Sequence, residues 1–137
     1  MTAFVDRRTG LDVIERPECL ALLGQARVGR LVAASGGSVE IFPVNFALDG
    51  DDIVFRSAAG TKVRLAQRSE VAFEVDEIDQ GSRTGWSVVA RGHVDEVPPY
   101  YSALYAETLG VDPWSEGDKP HVLRIRVRTV SGRRIAR

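Results

Sequence analysis

Residues 55–62, Phe-Arg-Ser-Ala-Ala-Gly-Thr-Lys, combine donors and small side chains in an order suited to holding an anion. Arg56 offers a planar fork of N–H groups, Lys62 a point charge and Thr61 a hydroxyl, while Gly60 lets the backbone come close. A short helix expected over 61–69 adds free N–H groups and a positive dipole end at the same point. The spacing excludes a nucleotide P-loop, which needs two glycines five positions apart followed by Lys and Ser/Thr. The pattern suits one terminal phosphate, without a triphosphate or magnesium. The same residues also read as a helix N-cap at Thr61 flanked by solvated Arg56 and Lys62.

A second set lies upstream, in Ile-Phe-Pro-Val-Asn-Phe at 41–46. Phe42, Val44, Phe46 and Leu48 share one face at period two, and Ile41, Pro43, Asn45 and Ala47 the other. Pro43 has no N–H for a ladder, so it predicts one backbone edge unpaired or next to something other than a strand. Asn45, on the same face, can donate and accept. A flat heterocycle against this strand would use both features; an edge strand with an exposed Asn is the plainer reading.

The remaining reactive types are few. Cys19 falls on the apolar face of an expected helix and reads as a buried structural thiol. His93 shares a strand face with Ser87, Val89 and Arg91, turned to solvent or to a ligand, and His121 reads as a surface residue opening a strand. Glu74, Asp76, Glu77 and Asp79 form a carboxylate cluster without the EF-hand pattern, so they read as a solvated strand end and no metal is expected. Trp114, in Asp-Pro-Trp-Ser-Glu-Gly, either covers a ligand or dimer seam or pins its own loop. Arg124, Arg126 and Arg128 alternate along one strand face. No aromatic set is interleaved with them, so a solvated face paired to neighbouring carboxylates is favoured over nucleic-acid binding.

These residues need a scaffold of strands. Helices are expected over 17–27, where Pro17 suits the first position and Cys19, Leu20 and Leu23 share a face, and over 98–110, ending at Gly110. Strands are expected at Val28–Ser35, 39–48, 53–57, 71–78, 86–97 and 122–130. Gly-Gly at 36–37 and Asp-Gly at 49–50 mark the turns, and Gly92 marks a bulge. Six or so antiparallel strands with few helices predict a closed or nearly closed barrel, because closure removes unpaired edges.

The 137 residues suffice for one compact domain, taken as 1–137. No apolar run approaches the ~18–20 residues of a membrane helix. One cysteine and no apolar leader fit a reducing cytoplasm, so a cytoplasmic location with no membrane partner is expected. The six arginines from Arg124 onward have no carboxylate among them, so the rest of the chain carries −7 within the total of −1. Whole-chain charge therefore says little about partners.

Taken in order, the segments Val-Gly-Arg-Leu (28–31), Pro-Val-Asn-Phe (43–46), Phe-Arg-Ser-Ala-Ala-Gly-Thr-Lys (55–62), Glu-Val-Asp-Glu-Ile-Asp (74–79), Gly-Trp-Ser-Val-Val-Ala-Arg-Gly (85–92) and Ser-Gly-Arg-Arg-Ile (131–135) resemble the pyridoxamine-5′-phosphate-oxidase-like FMN-binding split-barrel family. The resemblance covers the chain from about residue 17 onward. It implies a mostly β fold, a six-stranded antiparallel split β-barrel of Greek-key type with a few short helices. It also implies a homodimer with FMN at the interface. Pro43, Val44, Asn45 and Phe46 would lie along the flavin ring. Phe55, Arg56, Ser57, Gly60, Thr61 and Lys62 would hold the ribityl chain and phosphate, and Trp86 and Ser87 would lie near the flavin across or beside the interface. The implied activity is that of a flavin-dependent oxidoreductase acting on an unspecified small molecule. The Arg-x-His by which true pyridoxamine-phosphate oxidases grip substrate near the C-terminus is missing here, which counts against vitamin B6 oxidation. A non-catalytic flavin or haem module, or a deazaflavin-dependent reductase, fits the same resemblance, because fold does not choose among these functions.

Overall fold

A computed structural model describes residues 4–35, 37–58, 70–114 and 119–135. The helix expected over 61–69 and three of the residues expected to hold an anion, Gly60, Thr61 and Lys62, lie outside the described residues. The elements are β1 (Phe4–Asp6), β2 (Leu11–Ile14), α1 (Arg16–Gln25), β3 (Val28–Ser35), β4 (Ser38–Asp49), β5 (Asp52–Ser57), β6 (Glu70–Asp79), β7 (Thr84–Glu96), α2 (Pro99–Leu109) and β8 (His121–Ile135).

Every strand pairing is antiparallel, and six strands pair in a ring, β8-β5-β4-β3-β6-β7 and back to β8. β3, β4 and β5 follow one another, and β6 returns beside β3, which is the Greek-key order. The expected six-stranded barrel is therefore present. Two further strands were not expected: β1 and β2 form a hairpin whose β2 pairs with the end of β8, Asp12 with Arg134 and Ile14 with Gly132. They are too short to show alternation, and β8 extends past the expected Val130 to receive them.

Alternation sorts the side chains as period two requires. Leu31, Phe46, Ile53, Phe55, Phe73, Val88, Leu123 and Ile125 are buried together inside the ring, with Cys19 and Leu23 of α1. Phe46 and Phe73 meet edge to face at 4.9 Å between ring centres. Pro17 stands in the first turn of α1, where its missing N–H has no helical partner to lose. A second cluster lies on other faces of β5 and β8: Val54 and Val122 pack with Val97, Ala106 and Val111 at α2. Gly110 ends α2 in the left-handed conformation, φ 75°, as its residue type predicts.

Gly92 marks the bulge expected of it. The β7–β8 register shifts between Arg91 and Gly92, and a Cβ at Gly92 would collide with the Arg126 carbonyl. The outward arginines of β8 are paired: Arg124 with Asp49 and Asp52, Arg126 with Asp95, and Arg128 with Glu70. Among the described residues no helix is long and apolar enough to cross a membrane.

Candidate functional site: the cleft between β4 and β5

β4 and β5 pair only from Phe46 with Phe55 to Asp49 with Asp52. Beyond Phe46, β4 continues with β3 alone, Pro43 opposite Arg30 and Asn45 opposite Val28. Beyond Phe55, β5 continues with β8 alone, Arg56 opposite Val122 and Ser57 opposite His121. The two neighbours thus part, and among the described residues no strand covers the β5-side edge of Ser38–Asn45. Pro43 sits in this stretch, which is the consequence its missing N–H predicts. The N–H and C=O groups on such an edge are open to water or to a ligand.

The cleft separates the sequence-predicted residues into two groups. Val44 and Phe46 on β4, and Phe55 and Ser57 on β5, turn into the barrel and are buried. The Ser57 hydroxyl donates to the Ala58 carbonyl at 3.0 Å. Val44, Phe46 and Phe55 have only backbone to offer an external ligand, while Ser57 adds a hydroxyl engaged with its own neighbour. Pro43, Asn45 and Arg56 are the side chains left outside the core, flanking the cleft.

Arg56 donates from Nε to the Lys119 carbonyl at 3.3 Å, and its Nη groups have no partner among the described residues. It lines a cavity of about 400 Å³ with Ala103, Glu107, Gly110, Val111 and Asp112. Asn45 is engaged at both atoms of its carboxamide. Nδ2 donates to the Arg27 carbonyl at 3.4 Å, and Oδ1 accepts the Trp114 backbone N–H at 2.7 Å. Segment 110–114 therefore runs from the Arg56 cavity on one side of the cleft to Asn45 on the other.

Trp86 and Ser87 are not brought to this cleft within one chain. β7 lies opposite β4 in the ring, three strands away in either direction, or roughly 14 Å along the sheet at about 4.8 Å per strand. Ser87 pairs with Asp76 and Arg133. Trp86 packs against the interior cluster and lines a separate cavity of about 450 Å³ with Glu77, Asp79, Thr84, Gly85, Arg134 and Ile135.

The carboxylate cluster is partly absorbed by Arg30, whose Nη1 donates to Glu74 and Asp76, each at 2.9 Å. Burial, followed by hydrogen bonding with Asp76, pushes the Glu74 carboxyl up. Asp79 caps its own turn by accepting from the N–H groups of Gly81 and Ser82. Among the described residues no group of three His, Cys, Asp or Glu side chains is placed to hold a metal ion.

Sequence reasoning missed two constellations. His121, read as a surface residue, is half-buried, with Nδ1 2.9 Å from Glu96 Oε1. Tyr105 of α2 donates to Asp49 Oδ2 at 2.5 Å and accepts from Arg124 Nη1 at 2.9 Å. Arg124 also donates to Asp49 at 2.9 Å and, from Nε, to Asp52 at 2.9 Å. Burial, followed by the bond to Asp49, pushes the Tyr105 phenol up to about 12. The members come from α2, from the β4 and β5 ends of one turn and from β8, so no local spacing could have revealed them.

Known proteins place this architecture. A family model described as pyridoxamine 5′-phosphate oxidase matches residues 15–134. An uncharacterised protein of Mycobacterium tuberculosis is 34% identical over 129 residues, covering 89% of this chain and 84% of its own. A conserved protein of unknown function from Corynebacterium diphtheriae is 37% identical with a TM-score of 0.77, over 92% of this chain and 98% of that one. A FAD-binding protein from Mycobacterium smegmatis is 29% identical with a TM-score of 0.71, over 92% and 99%. This chain belongs to the pyridoxamine 5′-phosphate oxidase family.

Proposed function

We propose that the chain binds a flavin in the β4–β5 cleft and works as a flavin-dependent oxidoreductase on a small molecule. The observation carrying this reading is the unpaired β4 edge at Pro43–Asn45, which faces Arg56 across the parting of the strands. A flavin ring has a polar pyrimidine edge that can take up such backbone groups, and two flat faces that suit Pro43. Arg56, with its Nη groups free among the described residues, fits an anion at the other side of the cleft. Lys62, Thr61 and Gly60 are proposed to complete the phosphate end with Ser57 and Phe55 backbone, and Val44 and Phe46 to hold the ring wall in place from inside.

A bound flavin supplies the electron transfer, and the protein supplies binding, orientation and tuning of the ring. FMN is the cofactor proposed first, since Gly-Thr-Lys suits a single terminal phosphate. FAD is the second reading, favoured by the FAD-binding relative at 29% identity.

The site is proposed to be completed in a homodimer. Val39 and Ile41 on β4 are 65% and 61% exposed, with Val28 and Pro43 also open on the same sheet, an apolar area suited to a second copy. Because Trp86 and Ser87 lie across the ring from Asn45, only a partner chain can bring them to the flavin.

The test is a titration of FMN and FAD into purified protein, read by equilibrium dialysis alongside the sedimentation mass. Arg56→Ala and Lys62→Ala should each raise the Kd by tenfold or more, the scale of a lost charge-assisted bond at ~1.5 kcal/mol. Unchanged dissociation constants in both variants would remove the anion end from the account. A monomer that still binds flavin would remove the dimer.

A further inference from the structure

Segment 110–114 crosses the outside of the cleft, and its most prominent side chain is the Trp114 indole. Single exposed apolar side chains are common and call for no explanation by themselves. Here the backbone carrying the indole is fixed. Trp114 N–H donates to Asn45 Oδ1 at 2.7 Å, while the side chain remains 69% exposed. Asn45 in turn is held by the Arg27 carbonyl. One N–H and one acceptor site of its amide are thus used in positioning, and the acceptor positions this loop.

What surrounds the anchor is flat and apolar. Pro43 lies two residues along β4 on the face that carries Asn45 and is exposed. Val28, directly opposite Asn45 on β3, is 38% exposed. The other end of the segment, Val111 and Asp112, lines the cavity of Arg56. One short stretch of chain therefore links the anion-facing side of the cleft to its ring-facing side and presents an indole there.

We infer that Trp114 forms the second wall of the slot, stacking on the face of the flavin ring turned away from β4, with Asn45 as the residue that positions it. This rests on the flavin reading of the cleft. It changes the role of Asn45: its amide orients the loop, and recognition of the ring edge falls to the unpaired backbone of β4. Indoles stack on flat heterocycles without sequence-like specificity, so the wall suits FMN and FAD equally.

Two variants test the inference in the full-length protein. Stacking of an aromatic side chain on a planar base is lost on truncation, so Trp114→Ala should raise the Kd for FMN about tenfold. Trp114→Phe should keep the affinity within about threefold, because a ring remains. Indole in contact with a flavin quenches its emission, so flavin bound to Trp114→Phe should be brighter than flavin bound to the parent protein. Asn45→Ala should reproduce the affinity loss, and combining it with Trp114→Ala should add little, since residues acting as a unit are non-additive. If the parent binds neither FMN nor FAD, the flavin reading itself falls. If the parent binds flavin but both Trp114 variants match it in Kd and in bound-flavin emission, the indole is no wall and this inference alone falls. The same holds if the tryptophan emission that Trp114→Phe removes responds to dilution through the dimer and not to flavin, because a second copy then covers the indole.

Discussion

Replacing Tyr105 with Phe should destabilise the protein by about 1.5 kcal/mol while leaving its packing in place. The phenol hydroxyl makes two bonds, donating to Asp49 at 2.5 Å and accepting from Arg124 at 2.9 Å. Both partners are charged, and such bonds contribute about 1.5–3 kcal/mol. The low end applies because Arg124 and Asp49 keep 27% and 36% of their side-chain surface, and because Arg124 retains Asp49 and Asp52 after the change. For a chain of this length the unfolding entropy is about 0.29 kcal/mol per kelvin, so the expected fall in Tm is about 5 °C. Urea unfolding followed by circular dichroism gives the free energy, and a thermal scan gives the shift.

The network also predicts a pH signature. The folded phenol titrates near 12, above its ordinary value near 10. Its stabilising share is therefore complete below pH 10 and declines as pH rises from 10 through 12, where the unfolded chain gives up the proton first. Tyr105→Phe should lack that part of the alkaline decline. A loss under about 0.5 kcal/mol, with parallel stability–pH curves above pH 10, would mean that water replaces these bonds at no cost and that the network does not stabilise the fold.

Gly92→Ala places a Cβ against the Arg126 carbonyl, a backbone atom that cannot swing aside, so a loss of about 2 kcal/mol or more is expected in the same unfolding assay. Cys19 is fully buried, and burial followed by the Glu18 charge pushes its thiol up. A thiol reagent should therefore modify it only in denaturant, and native labelling within minutes would contradict the packing of α1. The raised Glu74 carboxyl means that its contribution to stability is largest at acid pH and falls as pH rises through its folded value. Glu74→Gln should accordingly match or exceed the parent at pH 7 and lose that advantage at pH 4, which thermal scans at the two values will check.

The barrel was legible because alternation and turn residues agree. Phe42-Val44-Phe46 and Leu123-Ile125 point inward at period two, Gly50 and Gly110 stop their elements with positive φ, and Gly92 marks a bulge. The β1–β2 hairpin was not legible, since three- and four-residue strands carry no period and depend on β8 for a partner. The unpaired edge followed from Pro43 alone, because a missing donor has only a few places in a sheet. What Asn45 does with its amide could not be read from the strand. Both its partners, Arg27 and Trp114, belong to other segments and meet it only once the chain has folded. The Tyr105–Asp49–Arg124 cluster was hidden for the same reason. Paired arginines on β8 were anticipated from their alternation without interleaved aromatics, but the identity of each carboxylate came from the folded chain.

The central claim is that the cleft where β4 and β5 part holds a flavin. Its most direct test is the absorption spectrum of the purified protein, recorded as isolated and again after incubation with FMN or FAD and removal of the excess. The protein should show the two visible flavin bands with a content approaching one flavin per chain. A protein that stays colourless after exposure to FMN and FAD, or that takes up only deazaflavin or haem, would contradict the claim.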